Sequence, residues 1–176
     1  MDEVEVSTVV YVPPEEVYEF LVDFPGYANY SKYLQRVRAT GDGTPGTRYY
    51  MEFAWWKLTY TAHSEVTDID PPHQVDWQII KDIDAEGHWN VEPLPEAAPD
   101  GKDHACRVRL RVTFHPDSAD SDTLELPRFV SISWVIEKAK PLIQGEAERV
   151  VERIVADLEG ETRPVDLEIH ATPDSV

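Results

Sequence analysis

The chain has 176 residues, of which 41% are apolar and 10% aromatic, and it carries a formal charge of −18 from 34 acidic against 16 basic side chains. That length suits one domain with a sizeable core. The negative excess disfavours phosphate-backbone binding as the main activity and opposes an anionic membrane surface. A lone cysteine, Cys106, excludes an internal disulfide, and no apolar run approaches the length of a membrane-spanning helix.

The opening MDEVEVSTVV is acidic and lacks a basic stretch, so it does not read as a signal peptide, and a cytoplasmic location is expected. The carboxylates are dispersed and lysine is scarce. This composition resembles that of proteins from salt-accumulating halophiles, in which salt screens the self-repulsion.

Taken in order, Glu3 to Val12 alternates valine and threonine with polar residues and predicts a strand that Pro13-Pro14 ends. Pro14, Glu15 and Glu16 suit the first turn of a helix, with Val17, Phe20 and Leu21 on its inner side. Phe24, Tyr27, Tyr30 and Tyr33 follow at three-residue steps, which fits a second short helix. Gln35 to Thr40 is a strand closed by Gly41-Asp42-Gly43. Thr47 to Trp56 is another, with Tyr49, Met51, Phe53 and Trp55 on one face, and the short Trp56-Lys57 link suggests a hairpin. Leu58 to Val66 places Tyr60, Ala62 and Ser64 inward. Gln74 to Ile80 places Val75, Trp77 and Ile79 inward, and Ala85 to Glu92 does so for Gly87, Trp89 and Val91. A proline-rich loop, Pro93 to Lys102, precedes a strand in which Cys106, Val108, Leu110, Val112 and Phe114 alternate with Arg107, Arg109, Arg111 and Thr113.

Leu126 to Gly160 then reads as one long amphipathic helix broken or kinked at Pro141 and stopped by Gly160. Its apolar stripe includes Val135, Val150, Ile154 and Leu158, and Glu159 falls on its solvent face. The order is α+β: a strand, one or two short helices, about six antiparallel strands and a long helix. One domain over residues 1–160 and a C-terminal tail over 161–176 are expected.

Motifs for nucleotide, zinc-protease, thiol-redox and serine-hydrolase chemistry are absent from the sequence. Its six histidines show no metal-ligand spacing, and Asp68, Asp70 and Asp76 read as solvated carboxylates near a turn. His63 and His88 fall on outward faces. The arginines at 107, 109 and 111 could hold an anion if they faced a pocket, but their phase puts them outside, where pairing with acidic neighbours is expected. Cys106 reads as a small buried hydrophobe. No catalytic residue, metal or cofactor is assigned. What remains is an inward aromatic and aliphatic surface facing Trp134, Ile136 and Ile143, with more ring area than sealing one helix requires.

Val10 to Tyr30, VYVPPEEVYEFLVDFPGYANY, resembles the opening of the START-like superfamily of polyketide cyclases/dehydrases and coenzyme Q-binding proteins. Val17-Tyr18, Leu21, Asp23, Tyr27 and Tyr30 carry the match. The resemblance implies a helix-grip fold over about residues 3–159: a curved antiparallel sheet wrapped around a long C-terminal helix, with two short helices after the first strand and an apolar cavity between sheet and helix.

The expected function is therefore binding or transport of a hydrophobic small molecule such as a lipid, quinone or polyketide-like compound. Its ligand-binding residues would be Tyr27, Tyr30, Tyr49, Met51, Phe53, Trp55, Tyr60, Trp77, Trp89, Phe114, Trp134 and Ile136. Two other readings stay open: an enzyme of the cyclase/dehydratase kind, and an interaction module with a closed core. Expected partners are a hydrophobic ligand, without nucleic acid or stable membrane insertion. Monomer and dimer are both left open.

Overall fold

A computed structural model of the chain describes residues 2–23, 30, 32–55, 58–81, 84–115, 145 and 148–171. Eight strands form one antiparallel sheet in the order β2-β3-β4-β5-β6-β7-β1-β8. They are β1 (Asp2–Val10), β2 (Leu34–Thr40), β3 (Arg48–Trp55), β4 (Leu58–Asp70), β5 (Gln74–Ile79), β6 (Asp84–Pro93), β7 (Cys106–His115) and β8 (Glu168–Ala171). Helix α1 (Pro14–Val22) follows β1, and α2 (148–159) precedes β8. This is the helix-grip arrangement that the resemblance implied. The second short helix expected around Tyr27, the Trp56-Lys57 link, and the first half of the long helix with Pro141 and Ile143 lie outside the described residues.

The valine alternation of β1 works because β7 alternates in the same phase: Val4 faces Val112, Val6 faces Leu110, and Val10 faces Cys106. Each pair adds apolar area to one face only. On that face Val10, Val12, Val17, Leu21, Val91, Cys106, Val108 and Val155 close into a first core, joining α1, α2 and the strands β1, β6 and β7. Leu34, Val37, Tyr49, Val66 and Val75 close a second core under Tyr18 and Val22 of α1. Cys106 is wholly buried, its thiol donates to the Val12 carbonyl, and burial pushes its pKa up to about 12, so it is an unreactive core residue.

Helix α1 begins as its residues require, with proline in its first turn beside Glu15 and Glu16. Helix α2 ends at Gly160, whose φ of +78° allows the backbone to turn away while its N–H bonds to the Ala156 carbonyl. The buried seam of α2 runs through Val151, Val155 and Leu158 rather than through Val150 and Ile154. Neighbouring apolar pairs at 150–151 and 154–155 allowed either phase, and it is Val155 that closes into the first core. Glu159, expected on the solvent face, has a side chain with no exposed surface.

The sequence beyond Gly160 was expected as a tail. Val165 packs against the first core, and β8 pairs with β1 so that Ser7 faces Glu168 and Val6 faces Ile169. Ser7, buried, shares a 2.7 Å hydrogen bond with His170, and Thr8 donates to the Asp166 carbonyl. Among the described residues no helix is long and apolar enough to cross a membrane.

Candidate functional site

The register of the sheet fixes which candidate residues meet. Phe53 faces Tyr60 across β3 and β4, and Met51 faces Ala62 one row away. In the next row Tyr49, Ser64, Ile79, Ala85, Phe114 and Asp2 follow one another across strands β3, β4, β5, β6, β7 and β1. All point to the face that carries α1 and α2. Phe53 is 37% exposed, and Met51, Tyr60, Ile79 and Phe114 are half-buried. A patch of incompletely covered rings and aliphatic chains thus borders the second core, on the side away from the first.

The remaining candidates divide. Tyr49 is a core residue, 2% exposed, and its hydroxyl donates to the Val22 carbonyl at the end of α1. Burial, with help from Asp23, Asp42 and Tyr18, raises its pKa. Trp89 packs on the first core between Val75 and Leu110. Trp55 pairs through its backbone with Leu58. Trp77 lies across Gly87, where a Cβ would stand 2.5 Å from the ring and 2.7 Å from the Arg111 carbonyl oxygen. Only glycine allows the ring to lie that close to the sheet. Tyr30 is apart from the patch: its ring meets Phe20 edge-on at 5.6 Å, and its hydroxyl donates to Asp157 on α2 at 2.7 Å. Arg153 donates to the Tyr30 carbonyl at 2.6 Å. Tyr27, Trp134 and Ile136 lie outside the described residues.

Three residues here were not named as site candidates, although Ser64 was expected to face inward. Asp2 and Ser64 are buried at 9% and 7% exposure among apolar neighbours, and Tyr18 packs against the second core. Burial, then Asp70, raises the Tyr18 pKa. Tyr18 stands within the Val17-Tyr18 pair that carried the resemblance, so a signal existed for it. Asp2 had none, since a carboxylate in a −18 chain looks solvated by default. Among the described residues no group of three His, Cys, Asp or Glu side chains could hold a metal ion.

The opposite face behaves as the alternation required. Arg111 pairs with Glu3 at 2.8 Å, Arg109 with Glu5 at 3.5 Å and Arg107 with Glu92 at 4.0 Å. His63 meets the Tyr50 ring there at 4.8 Å.

With the sheet, its two helices and the half-covered inner face in view, the family is decided by a match over residues 1–159 to the model described as polyketide cyclase / dehydrase and lipid transport. The chain belongs to that family. No curated protein matches it. Among solved structures, this member of the polyketide cyclase/dehydrase family is similar to the Zhui aromatase/cyclase from Streptomyces sp. R1128, at 16% identity and TM-score 0.64, over 89% of this chain and 93% of that one. It is also similar to a START superfamily protein from Mycobacterium smegmatis, at 14% identity and TM-score 0.57, over 90% and 99% of the two chains. Norcoclaurine synthase from Thalictrum flavum aligns at 13% identity and TM-score 0.51, over 89% and 95%. At these identities the likeness is one of fold.

Proposed function

We propose that this protein binds or carries a hydrophobic small molecule on the helix-facing side of its sheet, over a single ligand-binding domain of residues 1–160 to which the following segment adds β8 as an edge strand. One observation carries the reading: Phe53, Tyr60, Ile79 and Phe114 present incompletely buried apolar side chains on this face, with Met51 packed at the margin of the second core. Half-covered rings facing a helix-bearing side are what an apolar ligand replaces water on. The family description, which joins cyclase chemistry with lipid transport, supports the same class of ligand. A lipid, a quinone or a polyketide-like compound fits this surface.

The test is native mass spectrometry of the protein as purified from cells, followed by displacement of a fluorescent fatty-acid probe. A bound apolar molecule and a displacement that weakens at least tenfold in Phe53→Ala support the reading. A ligand-free protein that ignores the probe overturns it.

A second reading, a cyclase/dehydratase-type enzyme, is favoured by Asp2 and Ser64, two polar side chains buried in the row that borders the patch. Three strands separate the two, so the carboxylate and the hydroxyl would each act on a different part of an extended polyketone. Turnover of a poly-β-ketone thioester mimic that falls in Asp2→Asn and Ser64→Ala, with probe binding kept, would decide for the enzyme.

A further inference from the structure

The outer face of the sheet holds a feature that the proposed function does not use. Three rows of polar residues cross it: Arg107 beside Glu92, Arg109 beside Asn90 and Gln74, and Arg111 beside His88. Together they line an open trough of about 470 Å³, which Glu5 also borders. Three arginines converge there, Arg107 and Arg109 beside the carboxylates of Glu92 and Glu5, and Arg111 neutralised by Glu3.

Two of the three arginine ion pairs of this trough are loose, while Arg111 is held by Glu3 at 2.8 Å. A guanidinium hydrogen-bonded to a carboxylate stands at about 2.7–2.9 Å. Arg109 instead stands 3.5 Å from Glu5 through Nε, and Arg107 stands 4.0 Å from Glu92. Arg109 Nε is buried and makes no hydrogen bond, and the neighbouring Asn90 Oδ1 is also buried without a partner. A buried polar atom left without a partner costs free energy, and a guest that satisfies it recovers that cost. An oxyanion accepts from the Arg109 Nε–H and from the remaining N–H groups of Arg107. The Asn90 side chain, turned end for end, adds an N–H donor.

We propose that this trough is a binding site for a small dianion, a dicarboxylate or a phosphate, seated on Arg107, Arg109 and Asn90. It lies on the face opposite the apolar patch, so the two sites stand or fall separately. The two pairs at 3.5 and 4.0 Å are the resting state, in which Glu5 and Glu92 screen the arginines without closing on them.

The experiment is calorimetric titration of the full chain with succinate, and separately with inorganic phosphate, at an ionic strength held constant with KCl. Saturable binding of either anion is expected, weakened at least tenfold in Arg109→Gln and in Arg107→Gln. It should be kept in Arg36→Gln, on the β2 edge outside the trough. Which anion binds tells a carboxylate ligand from a phosphate one. If Arg109→Gln does not fold, Arg107→Gln at the rim carries the test alone. Heat that KCl alone reproduces, or binding unchanged in these trough variants, overturns the proposal.

Discussion

Arg163 holds Glu159 by two hydrogen bonds, Nε to Oε1 at 2.7 Å and Nη2 to Oε2 at 2.9 Å, where the chain leaves α2. The same arginine donates to the Val9 carbonyl and stacks 4.1 Å over the Tyr11 ring, while Glu159 accepts the Tyr11 N–H at 2.9 Å. One buried carboxylate therefore ties the end of the helix to the end of the first strand.

Replacing Glu159 by glutamine should destabilise the fold by about 3 kcal/mol, because it leaves Arg163 without its counter-charge in a largely covered position. Burial acts to raise the Glu159 carboxyl, but the Arg163 hydrogen bond, the Tyr11 N–H and the nearby positive charges outweigh it and hold the pKa below the usual range. With the folded pKa depressed, the stabilisation is complete above the ordinary glutamate pKa and is lost as pH falls through the lower, folded value. Urea melts between pH 3 and 7 check this: the gap between parent and Glu159→Gln should narrow on acidification, and a constant gap refutes the linkage.

Tyr30 offers the opposite sign. Its hydrogen bond to Asp157, then its burial and the nearby negative charges, push its pKa up to about 12. A raised folded pKa gives stability that is full below the unfolded value of a tyrosine and is lost as pH rises through the folded one. The pair is exposed, so Tyr30→Phe should cost at most about 1 kcal/mol. Absorbance titration at alkaline pH should show one late-ionising tyrosine fewer in the variant than in the parent.

Most of the fold was legible because strand alternation is a strong signal. Valines at even positions of β1 and apolar residues at even positions of β7 left one phase available, while the register between strands came only with the structure. Helix phase was harder, since Val150-Val151 and Ile154-Val155 are adjacent apolar pairs and the choice between them was made by the shape of the sheet. Glu159 was misread for a related reason: its partner Arg163 lies beyond the helix, where periodicity says nothing. The aromatic candidates were legible as a face but not as a site. Tyr49 and Trp89 share that face with Phe53, yet α1 covers one and the cores absorb the other. Ser64 was expected inward but not as a site residue, and Asp2 went unseen, because the role of a buried polar group depends on what lies across the sheet from it.

Gly87 tests how the inner face is shaped. An alanine there would drive its Cβ into the Trp77 ring at 2.5 Å and into the Arg111 carbonyl oxygen at 2.7 Å, and the carbonyl cannot move without breaking the β6–β7 ladder. Gly87→Ala should cost about 1–3 kcal/mol, as overpacking does in closed cores. The tryptophan emission should shift as the ring lifts from the strand. An unchanged melting temperature with unchanged emission would mean that the ring does not rest on Gly87.

Val155 and Phe53 separate core from site. Val155 is 2% exposed and sits among Val10, Val91, Cys106 and Val108, whereas Phe53 is 37% exposed in the patch. Val155→Ala removes methyl groups from a closed core and should destabilise by about 1–3 kcal/mol, with the affinity of the folded fraction for an apolar probe nearly unchanged. Phe53→Ala removes a ring already in contact with water, so its stability cost should be well below that of Val155→Ala, while probe affinity falls at least tenfold. Thermal melts and probe titrations on the two variants give a crossed result if the patch is the site. Should both variants lose stability and affinity in proportion, the patch is an edge of the core, and the ligand must be sought elsewhere.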